Sequence, residues 1–168
     1  MEYIKRELAR FLLCKKQTED TQKRRPVTEL VEIRDRVRFV ETDAMGVVHH
    51  ANYLRWFEMG RVAYLKEADV YLNPLMEEGI VFPITDVSCK YRSSGRFDDE
   101  IVIETTAEAI TPVKMVFTYT VRRLSDGAVL ATGRTQNVFT NKEGKIIRLP
   151  AKYYDKLSQL AALDKVER

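Results

Sequence analysis

Between Val37 and Ala68 the chain reads VRFVETDAMGVVHHANYLRWFEMGRVAYLKEA, and no other stretch limits the fold as much. From Tyr53 to Ala68 apolar residues recur three and four apart, with Leu54, Phe57, Leu65 and Ala68 on one side. Tyr53, Trp56, Gly60, Ala63 and Tyr64 lie on the adjoining side. Arg55, Glu58, Lys66 and Asp69 share a narrow polar stripe, interrupted by Val62. A wide apolar arc with so thin a polar edge predicts a largely buried helix. Asn52 suits its N-cap, because its side chain can accept from the amides of the first turn. Those amides are unpaired donors, and the helix dipole adds roughly half a positive charge beside them. Such a terminus can stabilise an oxygen that becomes negative during a reaction. Ahead of it lies a loop with one carboxylate, Asp43, and a glycine, Gly46, that lets the chain turn sharply. Asp43 then has two readings: a carboxylate facing the helix terminus, or a residue that only closes an Asx turn.

The rest of the chain supplies the layer that such a helix needs. Val31, Ile33, Val37 and Phe39 alternate with Glu32, Arg34, Arg36 and Arg38, a half-buried strand in which Asp35 breaks the apolar parity. Asn73-Pro74 punctuates the end of the helical region. Val87, Cys89 and Tyr91 then alternate with polar neighbours, as do Ile101 to Ala109 and Val113 to Val121. Val129 to Phe139 is a weaker strand with Gly133 inside it. Asp126-Gly127 is a hairpin signal, and Ser93-Ser94-Gly95 and Thr111-Pro112 mark further turns. Ala151 to Val166 reads as a terminal helix with Tyr154, Leu157, Leu160 and Ala161 inward. One strand, a long helix and four strands in hairpin succession make an α+β pattern with a mainly antiparallel five-stranded sheet.

Composition narrows the function classes. A chain of 168 residues with 45% hydrophobic and 32% charged residues is an ordinary globular domain with room for a core. Its net charge of +3 gives no argument for nucleic acid and slightly favours an anionic, phosphate-bearing ligand. The two cysteines, Cys14 and Cys89, have neither metal-ligand spacing nor a disulfide framework, which predicts a reduced, cytoplasmic setting. Cys89 falls on an inward strand position and is expected to pack rather than to attack. Met1 to Lys16 reads as a basic amphipathic helix with Ile4, Leu8, Phe11 and Leu12 on one face, followed by a polar linker. It is expected to dock on the domain or a second subunit, with contact to an anionic membrane surface as the alternative. No stretch is long enough to span a membrane.

The string Glu41-Thr42-Asp43-Ala44-Met45-Gly46-Val47-Val48-His49-His50-Ala51-Asn52-Tyr53 closely resembles the signature of hotdog-fold acyl-CoA thioesterases. It is similar to the branch of 4-hydroxybenzoyl-CoA thioesterase and the Tol-Pal-associated thioesterase. Phe57-Glu58-Met59-Gly60-Arg61 also resembles that branch's Phe-Glu-x-x-Arg helix. The resemblance implies a hotdog fold, a sheet wrapped around the central helix, over residues 29–150. Residues 1–28 are then an N-terminal extension and 151–168 a C-terminal helix.

The implied reaction turns an acyl-CoA, or an acyl carrier protein thioester, and water into free acid and the thiol. The resemblance assigns Asp43 as nucleophile or general base, and the backbone N–H of His50 as oxyanion donor. Val48, His49, Asn52 and Tyr53 would line the substrate site, and Lys90, Arg92, Arg96 and Arg134 are candidates for the coenzyme phosphates. Glu58 is an alternative catalytic acid, though it is expected to pair with Arg61 or Arg55. Some hotdog enzymes carry the acid on the helix after His-Gly-Gly; here that start reads His50-Ala51-Asn52. Neither a cofactor nor a metal is implied. A homo-oligomer, dimer or tetramer, is implied, with the active site between subunits. Two other readings remain: a hotdog dehydratase or hydratase, and a non-catalytic acyl-thioester-binding or scaffold protein.

Overall fold

The computed structural model describes residues 31–166; the helix and linker expected within residues 1–28 lie outside the described residues. The described chain runs β1 (Val31–Arg36), a single 3-10 turn (Phe39–Glu41), α1 (His50–Glu67), α2 (Leu72–Glu77), β2 (Ile84–Tyr91), β3 (Glu100–Ile110), β4 (Lys114–Arg123), β5 (Val129–Val138) and α3 (Ala151–Val166). The strands form one sheet in the order β1-β3-β4-β5-β2, antiparallel throughout. Residues directly opposite one another share a face, so Ile103 beside Val121 and Phe117 beside Thr135 define one inner surface. On that surface Ile101, Ile103, Met115, Phe117, Tyr119 and Val121 are all buried, and α1 lies across it.

Two glycines let the helix come close. A Cβ on Gly60 would stand 2.3 Å from Thr105 Oγ1, so a bare α1 backbone meets β3 there. Conversely, Gly133 in β5 receives the ring of Phe57, which is fully buried and stacked on Tyr119 with centroids 4.6 Å apart. These contacts fix how far α1 sits from the sheet, and so where its N-terminus ends up.

Several local expectations change. The helix begins at His50 rather than Tyr53, and its N-cap is His49, not Asn52. Apolar periodicity marks only where the buried face begins, and the first turn is polar. Phe39 is not an inward strand residue: β1 ends at Arg36, and Phe39 stands 76% exposed in the 3-10 turn. Leu54, expected inward, is 40% exposed, whereas Arg61 is buried, its Nε and Nη1 have no hydrogen-bond partner among the described residues, and the expected pair with Glu58 does not form. Asn73-Pro74 does not end the helical region but lies in the first turn of α2, where a missing N–H is tolerated. On β2, Val87 and Tyr91 share the inner face but remain exposed, because β2 is a sheet edge that α1 does not cover.

The far end of α1 is bolted by α3. Tyr153, Leu157 and Ala161 are buried, while Tyr154 and Leu160 are half-buried. Asp164 Oδ2 accepts from the Tyr64 hydroxyl (2.7 Å) and from the Ala107 amide (3.1 Å), beside the β3 bulge between Ala107 and Ala109. Burial, reinforced by Asp164, holds the Tyr64 phenol far above its ordinary pKa. Asp164→Ala is expected to destabilise the protein by about 1–3 kcal/mol, since it strands a buried hydroxyl and a strand amide. Asp164→Asn keeps an acceptor and should lose much less; thermal unfolding of the two variants checks this.

Candidate active site

Main-chain bonds build the loop that carries Asp43. Thr42 and Val48 form an isolated antiparallel bridge, with the Asp43 amide on Val47 O (2.9 Å) and the Gly46 amide on Asp43 O (2.9 Å). Gly46 turns the hairpin at φ +71°, a left-handed conformation that suits glycine. Two further bonds attach the hairpin to its surroundings. The His49 amide donates to Glu41 O (2.8 Å), and the Val48 amide donates to Gly95 O (2.8 Å) in the loop after β2. The Asn52 side-chain amide also donates to Glu41 O (2.7 Å), tying the first turn of α1 to the loop.

Asp43 is half-buried, and its Oδ1 accepts from the Met45 amide (2.8 Å). The Asx turn therefore exists, and it engages one of the two carboxylate oxygens. Among the described residues, Oδ2 has no hydrogen-bond partner. At the helix start, His49 Nδ1 accepts from the Ala51 amide (3.3 Å) and His49 O from the Asn52 amide (3.0 Å). The His50 amide has no acceptor among the described residues, so one donor is open where the helix dipole is most positive.

Asp43 and His50 line one open cleft of about 250 Å³, together with Met45, Val47, Val48, Tyr53, Tyr91, Arg92, Ser93 and Ser94. Tyr53 is buried, its ring 5.3 Å from that of Tyr91, and the Tyr91 hydroxyl donates to His50 O (3.3 Å). Burial pushes the Tyr53 phenol upward, and likewise that of Tyr91. Burial also raises the Cys89 thiol, which makes it a poor nucleophile and matches a packing role. Of the residues singled out in the sequence, Asp43, Val48, His50, Tyr53 and Arg92 meet in this cleft. His49, Asn52, Lys90, Arg96 and Arg134 do not line it; His49 caps the helix and Asn52 ties its first turn to the loop. Arg134 is held by Glu108 (2.9 Å) and Asp86 (3.2 Å). Glu58 stands exposed on α1, away from the cleft. Sequence patterning missed Tyr91, Ser93 and Ser94, and the only local signal for the two serines was a turn.

The family model described as Thioesterase-like superfamily matches residues 37–160. The chain belongs to that superfamily. Among its relatives is YneP of Bacillus subtilis, provisionally named an acyl-CoA thioesterase, 35% identical over 83 residues that cover 49% of this chain and 60% of YneP. The acyl-CoA thioester hydrolase YbgC of Escherichia coli is 32% identical over 83 residues, covering 49% of this chain and 62% of YbgC. The chain thus spans about three fifths of the length of these curated relatives. A solved structure of the DHNA-CoA thioesterase from Staphylococcus aureus superposes with a TM-score of 0.77 at 26% identity, covering 82% of this chain and 94% of that one. As a thioesterase-like protein with five antiparallel strands around one long helix, the chain has the hotdog fold.

Proposed function

We propose that this protein is an acyl-CoA thioesterase that hydrolyses a thioester to free acid and coenzyme A. One observation carries the reading: a carboxylate with an unengaged oxygen and an amide without an acceptor line the same cleft. A thioester carbonyl placed between them has its oxygen toward the His50 N–H and its carbon toward Asp43. As the oxygen gains charge, the amide and the helix terminus stabilise it. Asp43 acts either by drawing a proton from the attacking water or by attacking the carbonyl itself, giving an anhydride that water then opens. In both routes the thiolate of coenzyme A leaves and takes up a proton. Arg92 lines the cleft wall, which supports a role for it in pairing with a phosphate of the carrier.

A homo-oligomer completes the site in this reading. Support comes from β2, a sheet edge whose Ile84, Val87 and Tyr91 are 48%, 44% and 51% exposed. An apolar edge of this kind is suited to cover by a second copy. Thiol release from a panel of acyl-CoAs, with the mass of the assembly in solution, tests both parts. Activity on at least one chain length, and a particle larger than one chain, are the expected results. Tight acyl-CoA binding with no thiol release would favour the scaffold reading instead.

A further inference from the structure

Arg123, the last residue of β4, makes two kinds of contact. Its Nε and Nη2 donate to both oxygens of Asp126 (3.0 and 2.8 Å), within the β4–β5 hairpin. Its Nη1 reaches across the molecule to Ser94 O and to Asp99 Oδ2, both at 3.2 Å. Asp99 Oδ2 accepts in turn from the Arg96 amide (2.8 Å). One guanidinium nitrogen thus grips, directly and through Asp99, the backbone on both sides of Gly95. Gly95 O is the acceptor for the Val48 amide, the bond that ties the Asp43 hairpin to the cleft wall. The packing there has no slack: a Cβ on Gly95 would stand 3.0 Å from Val48 Cγ2 and 3.6 Å from the Tyr53 hydroxyl. Ser93 and Ser94 are themselves lining residues of the cleft.

We propose that Arg123 is a positioning residue: through Ser94 O and Asp99 it holds the Ser93–Arg96 wall against the Asp43 hairpin and sets the shape of the substrate cleft. The proposal rests on the thioesterase reading for its effect on turnover, but not for its effect on the wall. A guanidinium fits this task because a single nitrogen, Nη1, serves both Ser94 O and Asp99 Oδ2, while Nε and Nη2 are occupied locally by Asp126 within the hairpin. The two halves are separable. The Asp126 contact closes only its own hairpin, whereas the contacts to Ser94 and Asp99 span 29 and 24 residues of sequence.

Four variants separate positioning from general stability: Arg123→Ala, Arg123→Lys, Asp99→Ala and Asp126→Ala. In Arg123→Ala the KM for the best acyl-CoA should rise about tenfold with kcat changed less than about threefold, the size of effect expected for losing charge-assisted hydrogen bonds. Arg123→Lys, which can still reach one acceptor, should recover part of the loss. Asp126→Ala should leave both constants near wild type. Amide exchange, read by NMR well below the melting temperature, supplies a measure independent of catalysis. The Val48 and Arg96 amides should exchange faster in Arg123→Ala and Asp99→Ala, and unchanged in Asp126→Ala. Should Arg123→Ala fail to fold, Asp99→Ala carries the same comparison. Unchanged exchange at both amides, or equal KM effects from Asp126→Ala and Arg123→Ala, overturns the proposal. A wild type that releases no thiol overturns the thioesterase reading alone, and the exchange data then judge the clamp.

Discussion

Asp43→Asn is expected to lower kcat for acyl-CoA hydrolysis by about a thousandfold, within the range by which a positioned general base accelerates a reaction. Asparagine is the informative replacement. Its carbonyl oxygen can still accept from the Met45 amide, so the Asx turn survives and the hairpin keeps its shape. What disappears is the negative charge and the lone pair on the outward oxygen, the two properties needed to attack or to take a proton. Binding should suffer little, because the cleft walls at Val48, Tyr53, Arg92 and Ser93 are unchanged. KM therefore stays near wild type while kcat collapses, the pattern of an interaction made only in the transition state. Asp43→Ala should lose as much activity and also some stability, since it breaks the turn. An Asp43→Asn enzyme that turned over at the wild-type rate would remove this carboxylate from the chemistry.

A large loss of stability should come from Gly133→Ala. A new methyl there would sit 2.1 Å from Phe57 Cε2 and 2.2 Å from Cζ. The Phe57 ring cannot retreat, because it is fully buried and lies flat against Tyr119. Backbone blocks the other side, with Ser88 O 3.0 Å away on β2. Overpacking of a tight core costs about 1–3 kcal/mol and occasionally more, and the upper end is expected here. Phe57→Ala alone should cost about 3–5 kcal/mol by leaving a cavity. The double variant offers a sharper test than either single change. With the ring gone, the added methyl has space, so the two losses should fall well short of additivity. Additive losses in denaturant unfolding would mean that the Gly133 effect arises elsewhere than at this contact.

How much of this was readable beforehand depends on what each residue answers to. In β3 and β4 alternation was plain, because Ile101, Ile103, Met115, Phe117 and Val121 answer to one buried face. In β2 the same alternation misled: Val87 and Tyr91 have the parity of core residues but occupy an edge, and edge position is set by strand order, not by local pattern. Phe39 misled similarly, since β1 stops before it and the chain turns away. Asp43, Gly46 and His50 stood out because a short polar motif compresses a loop, a turn and a helix start into neighbouring positions. Arg123, Asp99 and Ser94 did not, as their partnership joins segments with no shared periodicity. Asp164 was hidden for the same reason: its role depends on a bulge in β3 and a tyrosine on α1 that only folding brings together.

The hairpin that presents Asp43 is closed by backbone atoms, from the Thr42–Val48 bridge to the bonds with Glu41 O and Gly95 O. Side chains at Ala44, Met45 and Val47 supply none of those hydrogen bonds. Mutational drift can therefore remodel the cleft rim, at Met45 and Val47, without displacing the acid beside it. Under the proposed thioesterase role, a lineage built on this loop can change its diet of acyl groups while inheriting its chemistry intact.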